Sequence, residues 1–156
     1  MISIIIPGWG NMEIENIVLD LNGTIATDGK IPSEPKEKIK ALSDKVKIYI
    51  LTADTQGTAS EETSDMRVEL LKVSEKNSTE VKLRVLRSLV PEKTVAIGNG
   101  HNDHLILKEA DLGIAVLGEE GMSVSAMKNA DIVVKDISNA LDLFVKPKRL
   151  IATLRE

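Results

Sequence analysis

The chain contains no cysteine, which excludes disulfides, thiolate metal sites and cysteine nucleophiles. Two histidines, His101 and His104, leave little material for an imidazole site, so any metal is expected to be oxygen-ligated. Aromatics are scarce as well. Trp9, Tyr49 and Phe144 are the whole set, too few for the stacking platforms that single-stranded nucleic acid uses. Nor is there a surplus of positive charge: 20 Lys and Arg against 24 Asp and Glu give a net charge of −4. That balance offers no general attraction to nucleic acid or to an anionic membrane surface. The opening Met-Ile-Ser-Ile-Ile-Ile lacks a basic flank and stops at Pro7-Gly8. It reads as neither a signal peptide nor a membrane span, and a cytoplasmic location is the expectation.

What is present is ordinary globular material: 156 residues, 42% apolar and 28% charged. This length and balance predict one domain over 1–156, with a β-hairpin extension at 1–16 and a basic C-terminal tail at 145–156. Short strands are expected at 2–6 and 12–14, and a buried central strand at 17–21 that contains Asp20. Ser33 is placed to cap a helix that carries Ile39, Leu42 and Val46 toward the core. Further strands are expected at 46–51, 94–97, 112–116 and 131–134, with an apolar segment at 66–73. Helical patterns occupy 55–65, 79–90, 102–109, 121–128 and 137–144. The helix at 79–90 presents Val81, Val85, Leu86 and Leu89 on one face, and Asn77 with Glu80 suggests its capping box. Alternating strands and helices predict an α/β fold with a mostly parallel sheet flanked by helices.

In such a sheet the chemistry gathers at the carboxyl ends of the strands. Three loops there carry reactive side chains: Asp20-Leu21-Asn22-Gly23-Thr24, Leu51-Thr52-Ala53-Asp54 and Gly98-Asn99-Gly100-His101-Asn102-Asp103. Lys82 lies near the start of an intervening helix. An aspartate at a strand end can offer its carboxylate to phosphorus, while free amides of a following Gly23-Thr24 turn hold the phosphate oxygens. A threonine, a lysine and a second acidic loop would complete the site, the lysine neutralising charge and the carboxylates holding Mg²⁺. Alone, each element has an ordinary structural role as turn former, cap or solvated helix residue; four in this order are far more specific.

Together these segments resemble the haloacid dehalogenase superfamily and, within it, the phosphorylation domain of P-type ATPases. Asp20 to Thr24 is similar to that family's Asp-Lys-Thr-Gly-Thr, and Leu51 to Ala59 to its Leu-Thr-Gly-Asp-Asn-x-x-Thr-Ala. Glu80-Val81-Lys82 resembles its Glu-x-Lys, Gly98 to Asp103 its Gly-Asp-Gly-x-Asn-Asp, and Ala110 to Ala115 its Ala-Asp-Val-Gly-Ile-Ala. The likeness runs from about residue 17 to residue 145. It implies a Rossmann-like core in which Asp20 is transiently phosphorylated. The implied phosphate contacts are Gly23, Thr24, Thr52, Ala53 and Lys82. The implied Mg²⁺ ligands are Asp20, the backbone carbonyl of Asn22, and Asn99 and Asp103 of the later loop. Only 27 residues separate Thr24 from Thr52, where a pump carries its nucleotide-binding domain, and no span is present, so a pump is not expected.

Two positions depart from the resemblance. Phosphatases of the family carry a second aspartate two residues after the nucleophile, as acid and base; here it is Asn22. An amide cannot exchange a proton in that way, and general acid–base catalysis contributes about 10²–10⁴-fold, so slow turnover is expected. Asn99 stands where the first acidic metal ligand is usual, which predicts weakened but retained Mg²⁺ binding. Asp54 is expected to tie its loop by hydrogen bonds, and His101 and His104 to sit at the rim or on a helix face. With 29 residues between Thr52 and Lys82 there is no room for a cap domain. An open site admits a phosphorylated small molecule or protein, or is closed by a second copy in a homo-oligomer. The apolar Ile2-Ile4-Ile5-Ile6 segment is either an association edge or a strand covered by its own domain. The leading reading is a Mg²⁺-dependent phosphohydrolase. A self-phosphorylating or phosphoryl-binding regulatory domain and an inactive interaction module are the alternatives.

Overall fold

A computed structural model describes residues 1–53 and 57–156; the expectation for Asp54 falls outside them. A two-stranded antiparallel hairpin, β1 (Ile2–Ile6) and β2 (Gly10–Ile14), leads into β3 (Asn16–Asp20). Then follow α1 (Ser33–Ser43), β4 (Lys47–Thr52), α2 (Thr58–Thr63), β5 (Glu69–Lys72), α3 (Ser78–Ser88) and β6 (Thr94–Gly98). The chain ends with α4 (His104–Glu109), β7 (Leu112–Val116), α5 (Val124–Asn129), β8 (Ile132–Val134), α6 (Ile137–Val145) and α7 (Pro147–Leu154). Strands β3 to β8 form one parallel sheet in the order β5-β4-β3-β6-β7-β8. The chain steps outward from β3 to β5, then crosses back to place β6 on the other side of β3. That reversal opens a crevice at the carboxyl ends of β3 and β6.

Side chains alternate strictly between two cores, as the period of a strand requires. Ile17, Leu19, Ile48, Ile50, Val95 and Ile97 face a cluster completed by α1, α6, α7 and the hairpin. Val18, Tyr49, Leu51, Ala96 and Ala115 face a second cluster completed by α3, α4 and α5. Both faces are covered, which is why these strands read as continuous apolar runs.

Four local expectations are corrected. Ser33 is the first helical residue rather than the cap of α1; the cap position is Pro32, which bonds no amide through its side chain. Asn77 occupies the cap position of α3 but with a left-handed backbone, φ 58°, and no side-chain cap bond. A capping side chain needs an extended backbone to reach the helix amides, so the capping box does not form. The buried stripe of α3 is Lys82, Leu83 and Leu86, with Val81, Val85 and Leu89 on its half-buried flanks. The basic tail is a helix, α7, whose Leu150 is fully buried and which packs on β1. On the hairpin, Ile4 and Ile6 are buried by the chain itself, while Ile5 stays exposed.

Gly113 in β7 shows how closely α4 sits on the sheet: a Cβ there would stand 2.0 Å from the Leu107 carbonyl oxygen. Backbone cannot yield as a flexible side chain does. Gly113→Ala should therefore cost on the order of 3 kcal/mol or more in urea unfolding. Wild-type stability in that variant would mean α4 is not seated at this depth.

Candidate phosphoryl-transfer site

Asp20 is the last residue of β3 and pairs in register with Leu51 of β4. It follows Val18 by two residues, so it leans toward the face covered by α3. From that helix Lys82, only 1% exposed, reaches the same point. Its Nζ donates to Asp20 Oδ1 and to Asp103 Oδ1, both at 2.7 Å, and lies 3.4 Å from Asn102 Oδ1. Asp103 is fully buried. Its Oδ2 accepts the backbone N–H groups of Asn99 (3.1 Å) and Gly100 (2.9 Å), so the loop after β6 closes around this carboxylate. Gly98 leaves the space: a Cβ there would lie 2.5 Å from Asp103 Cγ.

A second chain of contacts joins the loop after β3 to the 99–123 region. Thr24 Oγ1 is 3.3 Å from Asp20 Oδ2 and 3.1 Å from Asn99 Oδ1, and its single proton can serve either acceptor. Asn99 Nδ2 donates to the Gly121 carbonyl at 3.0 Å, a bond that an ionised aspartate could not make. The Ser123 N–H donates to the Asn99 carbonyl at 2.8 Å. Asn99 is thus fitted to its place by its amide. Gly23, with φ +76°, is required beneath it, because a Cβ would meet Asn99 Nδ2 at 2.5 Å.

The expectation of free amides at Gly23 and Thr24 does not hold. The segment 22–30 folds back on itself through bridges between Asn22 and Ala26 and between Thr27 and Lys30. Gly23 N–H therefore donates to Ala26 O (2.9 Å) and Thr24 N–H to Leu21 O (3.3 Å). Thr24 offers its hydroxyl instead. Hydrogen bonds directly join Asp20, Thr24, Lys82, Asn99 and Asp103. Thr52, buried, and Ala53 stand at the neighbouring end of β4, one and two steps beyond the residue that pairs with Asp20. The Asn22 side chain is exposed. Sequence reasoning did not single out Asn102, which sits beside Lys82 and donates to Ser78 Oγ of α3 at 3.2 Å; its place inside the 98–103 loop was the available signal.

Electrostatically the site is one positive charge short: two buried carboxylates share one ammonium. Burial, reinforced by the charge of Asp103 and opposed by Lys82 and Thr24, pushes Asp20 from the ordinary 3.8 to about 7. For Lys82 burial acts downward, but Asp20 and Asp103 outweigh it and hold the ammonium above its usual range. Among the described residues no cluster of three or more Asp, Glu, His or Cys forms. A hard cation would therefore use one or two carboxylates, neutral oxygens, water and a substrate phosphoryl group, which is the ligand set that suits Mg²⁺. Asp20, Asp103, Asn99 Oδ1 and the Asn22 carbonyl provide such donors, and a divalent charge would relieve the deficit.

The raised Asp20 has a consequence for stability. Between 3.8 and about 7 the folded protein keeps a proton that the unfolded chain has released, so stability falls as pH rises through that window. Asp20→Asn removes this penalty and leaves Lys82 paired with Asp103. In metal-free buffer at pH 8 the variant should melt about 3–6 °C higher than wild type, on the order of 1–2 kcal/mol, with the difference vanishing near pH 4. Equal melting at pH 8, or a gap that widens on acidification, would contradict the charge deficit.

Known proteins share parts of this sequence and its fold. No family model matches the chain. An uncharacterized protein of Methanocaldococcus jannaschii is 52% identical over 79 residues, which cover 48% of this chain and 85% of that protein. A soluble P-type ATPase-like phosphatase of the same organism is 30% identical over 143 residues, or 89% of this chain. The match spans about half of that phosphatase, 52% of its length. Among solved structures, the 3-deoxy-D-manno-octulosonate 8-phosphate phosphatase of Moraxella catarrhalis, in complex with magnesium, phosphate and KDO, superposes with a TM-score of 0.71. Identity there is 14%, with 91% of this chain and 94% of the other covered, so the likeness is one of fold. Motif order, sheet order and the 143-residue match agree: the chain resembles the soluble P-type ATPase-like phosphatase over most of its length and has the fold of haloacid dehalogenase superfamily hydrolases.

Proposed function

We propose that the chain is a phosphohydrolase that works through a covalent phospho-Asp20. The observation that carries this reading is the Lys82 ammonium 2.7 Å from both Asp20 and Asp103, buried at the carboxyl end of the sheet. An Asp20 oxygen attacks phosphorus and the bond to the leaving group breaks, its electron pair departing with that group. Water then attacks the phosphorus of the aspartyl phosphate, the bond to Asp20 breaks, and inorganic phosphate and the carboxylate are released. Lys82 holds phosphoryl charge, with Thr52, Ala53, Gly23 and Thr24 lining the approach. Mg²⁺ bound by Asp20, Asn22, Asn99 and Asp103 would supply the remaining positive charge. A phosphorylated small molecule or protein is the proposed substrate class. The M. jannaschii relative is named a phosphatase, and this supports the reaction type. Among the described residues no helix is long and apolar enough to cross a membrane, and a cytoplasmic location is proposed with the activity.

Turnover is slow in this reading because the exposed Asn22 can neither protonate a leaving group nor activate water. The same observation favours a second reading, a regulatory domain that holds its phosphoryl group.

A panel of phosphate esters with graded leaving-group pKa, incubated with Mg²⁺, separates the two. Released phosphate and acid-stable, hydroxylamine-labile phosphoprotein are measured together. Asp20→Asn should abolish both signals; full hydrolysis by that variant would refute the covalent route. Acyl and aryl phosphates should be cleaved about 10²-fold or more faster than alkyl phosphates, and Asn22→Asp should raise hydrolysis most for alkyl substrates. Stable phosphoprotein with no gain on Asn22→Asp would favour the regulatory reading.

A further inference from the structure

His101 and His104 bracket Asp103 in sequence, and the structure brings their rings together at the protein surface. The ring centres are 5.0 Å apart, tilted by 35°. His104 Nδ1 lies 2.7 Å from the His101 carbonyl oxygen. A carbonyl can only accept, so Nδ1 carries the proton and Nε2 presents a lone pair. His101 Nδ1 is held at 2.7 Å by Ser125 Oγ. Among the described residues each ring is anchored through one nitrogen and no hydrogen bond engages the other, the arrangement that orients metal-binding imidazoles.

The spacing also fits a chelate. With a Zn–N bond of about 2.0–2.1 Å, a metal stands roughly 3.2 Å from each ring centre, so two imidazoles at coordination angles of about 90–109° have centres roughly 4.5–5.2 Å apart. The observed 5.0 Å lies inside that range. We propose that His101 and His104 form a bidentate site for a borderline divalent ion such as Zn²⁺, at the rim of the phosphoryl site and separate from its oxygen ligands. Imidazole nitrogen selects Zn²⁺, Ni²⁺ or Cu²⁺, whereas carboxylate and water suit Mg²⁺. Among the described residues no third Asp, Glu, His or Cys completes a cluster with them, so water fills the remaining positions and the ion exchanges, with micromolar affinity. Binding closes a ring of chain over Asn102 and Asp103, the two residues beside Lys82, and so stiffens the loop that delivers Asp103.

The test is calorimetric titration of the full chain with Zn²⁺, in a large excess of Mg²⁺ that keeps the oxygen site occupied. Wild type, His101→Gln and His104→Gln are compared. Wild type should bind one Zn²⁺. Loss of an outer partner alone typically weakens a metal site about 10–100-fold, so each variant, having lost a ligand, should bind at least about tenfold more weakly. Equal affinity in all three proteins would overturn the proposal. Electron paramagnetic resonance of wild type with Cu²⁺ reads the same question without a substitution: coupling to two imidazole nitrogens is expected, and a purely oxygen-ligated spectrum would overturn it. Both experiments read binding alone, so their failure leaves the phosphohydrolase reading unaffected.

Discussion

One ammonium group held between two buried carboxylates governs this molecule. Lys82 is 1% exposed, and a lysine at that depth needs a buried partner of opposite charge; Asp103 and Asp20 each accept a bond from it at 2.7 Å. The three side chains come from β3, α3 and the turn before α4, so the ion pairs also tie both sides of the crevice together. Burial, reinforced by the charge of Asp103, raises Asp20 to about 7.

The rest of the site is arranged around those three groups by packing and by vacancy. Strand parity sends Asp20 to the α3 face, and Gly98 leaves the volume that Asp103 fills. Gly23 does the same for Asn99. Asn99, a neutral amide, keeps a third negative charge out of a site already short of cations and ties Thr24 to Gly121. Its amide, bonded on both sides, steadies the resting site.

Much of this was legible in the sequence, for identifiable reasons. Buried parallel strands are short apolar runs, and each ended close to where the structure ends it, because covered strands leave no polar face to blur the boundary. The motif residues were legible because their chemistry is carried by type and order. The misread features depend on backbone angles or on tertiary burial. Asn77 fails as a cap because its φ is positive. The Gly23 and Thr24 amides are consumed by a fold-back of the 22–30 segment that leaves no local signature. Lys82 was invisible to a count of apolar residues, so the inner stripe of α3 was drawn to one side. Helix α7 was hidden by its charges, although Pro147, Leu150, Ile151 and Leu154 hold helical spacing.

The face of the sheet under α4 is lined by small residues, Ala96, Gly113 and Ala115. Asp103 immediately precedes the first residue of that helix, and its carboxylate is fixed to the backbone amides of Asn99 and Gly100. The height of α4 above the sheet therefore sets the position of a charge at the crevice. A methyl group added beneath the helix, remote from any phosphate, acts as a shim under one end of a lever, and the displacement arrives at the carboxylate paired with Lys82. Sequence drift on this face is limited by the placement of an ion as much as by the filling of a core.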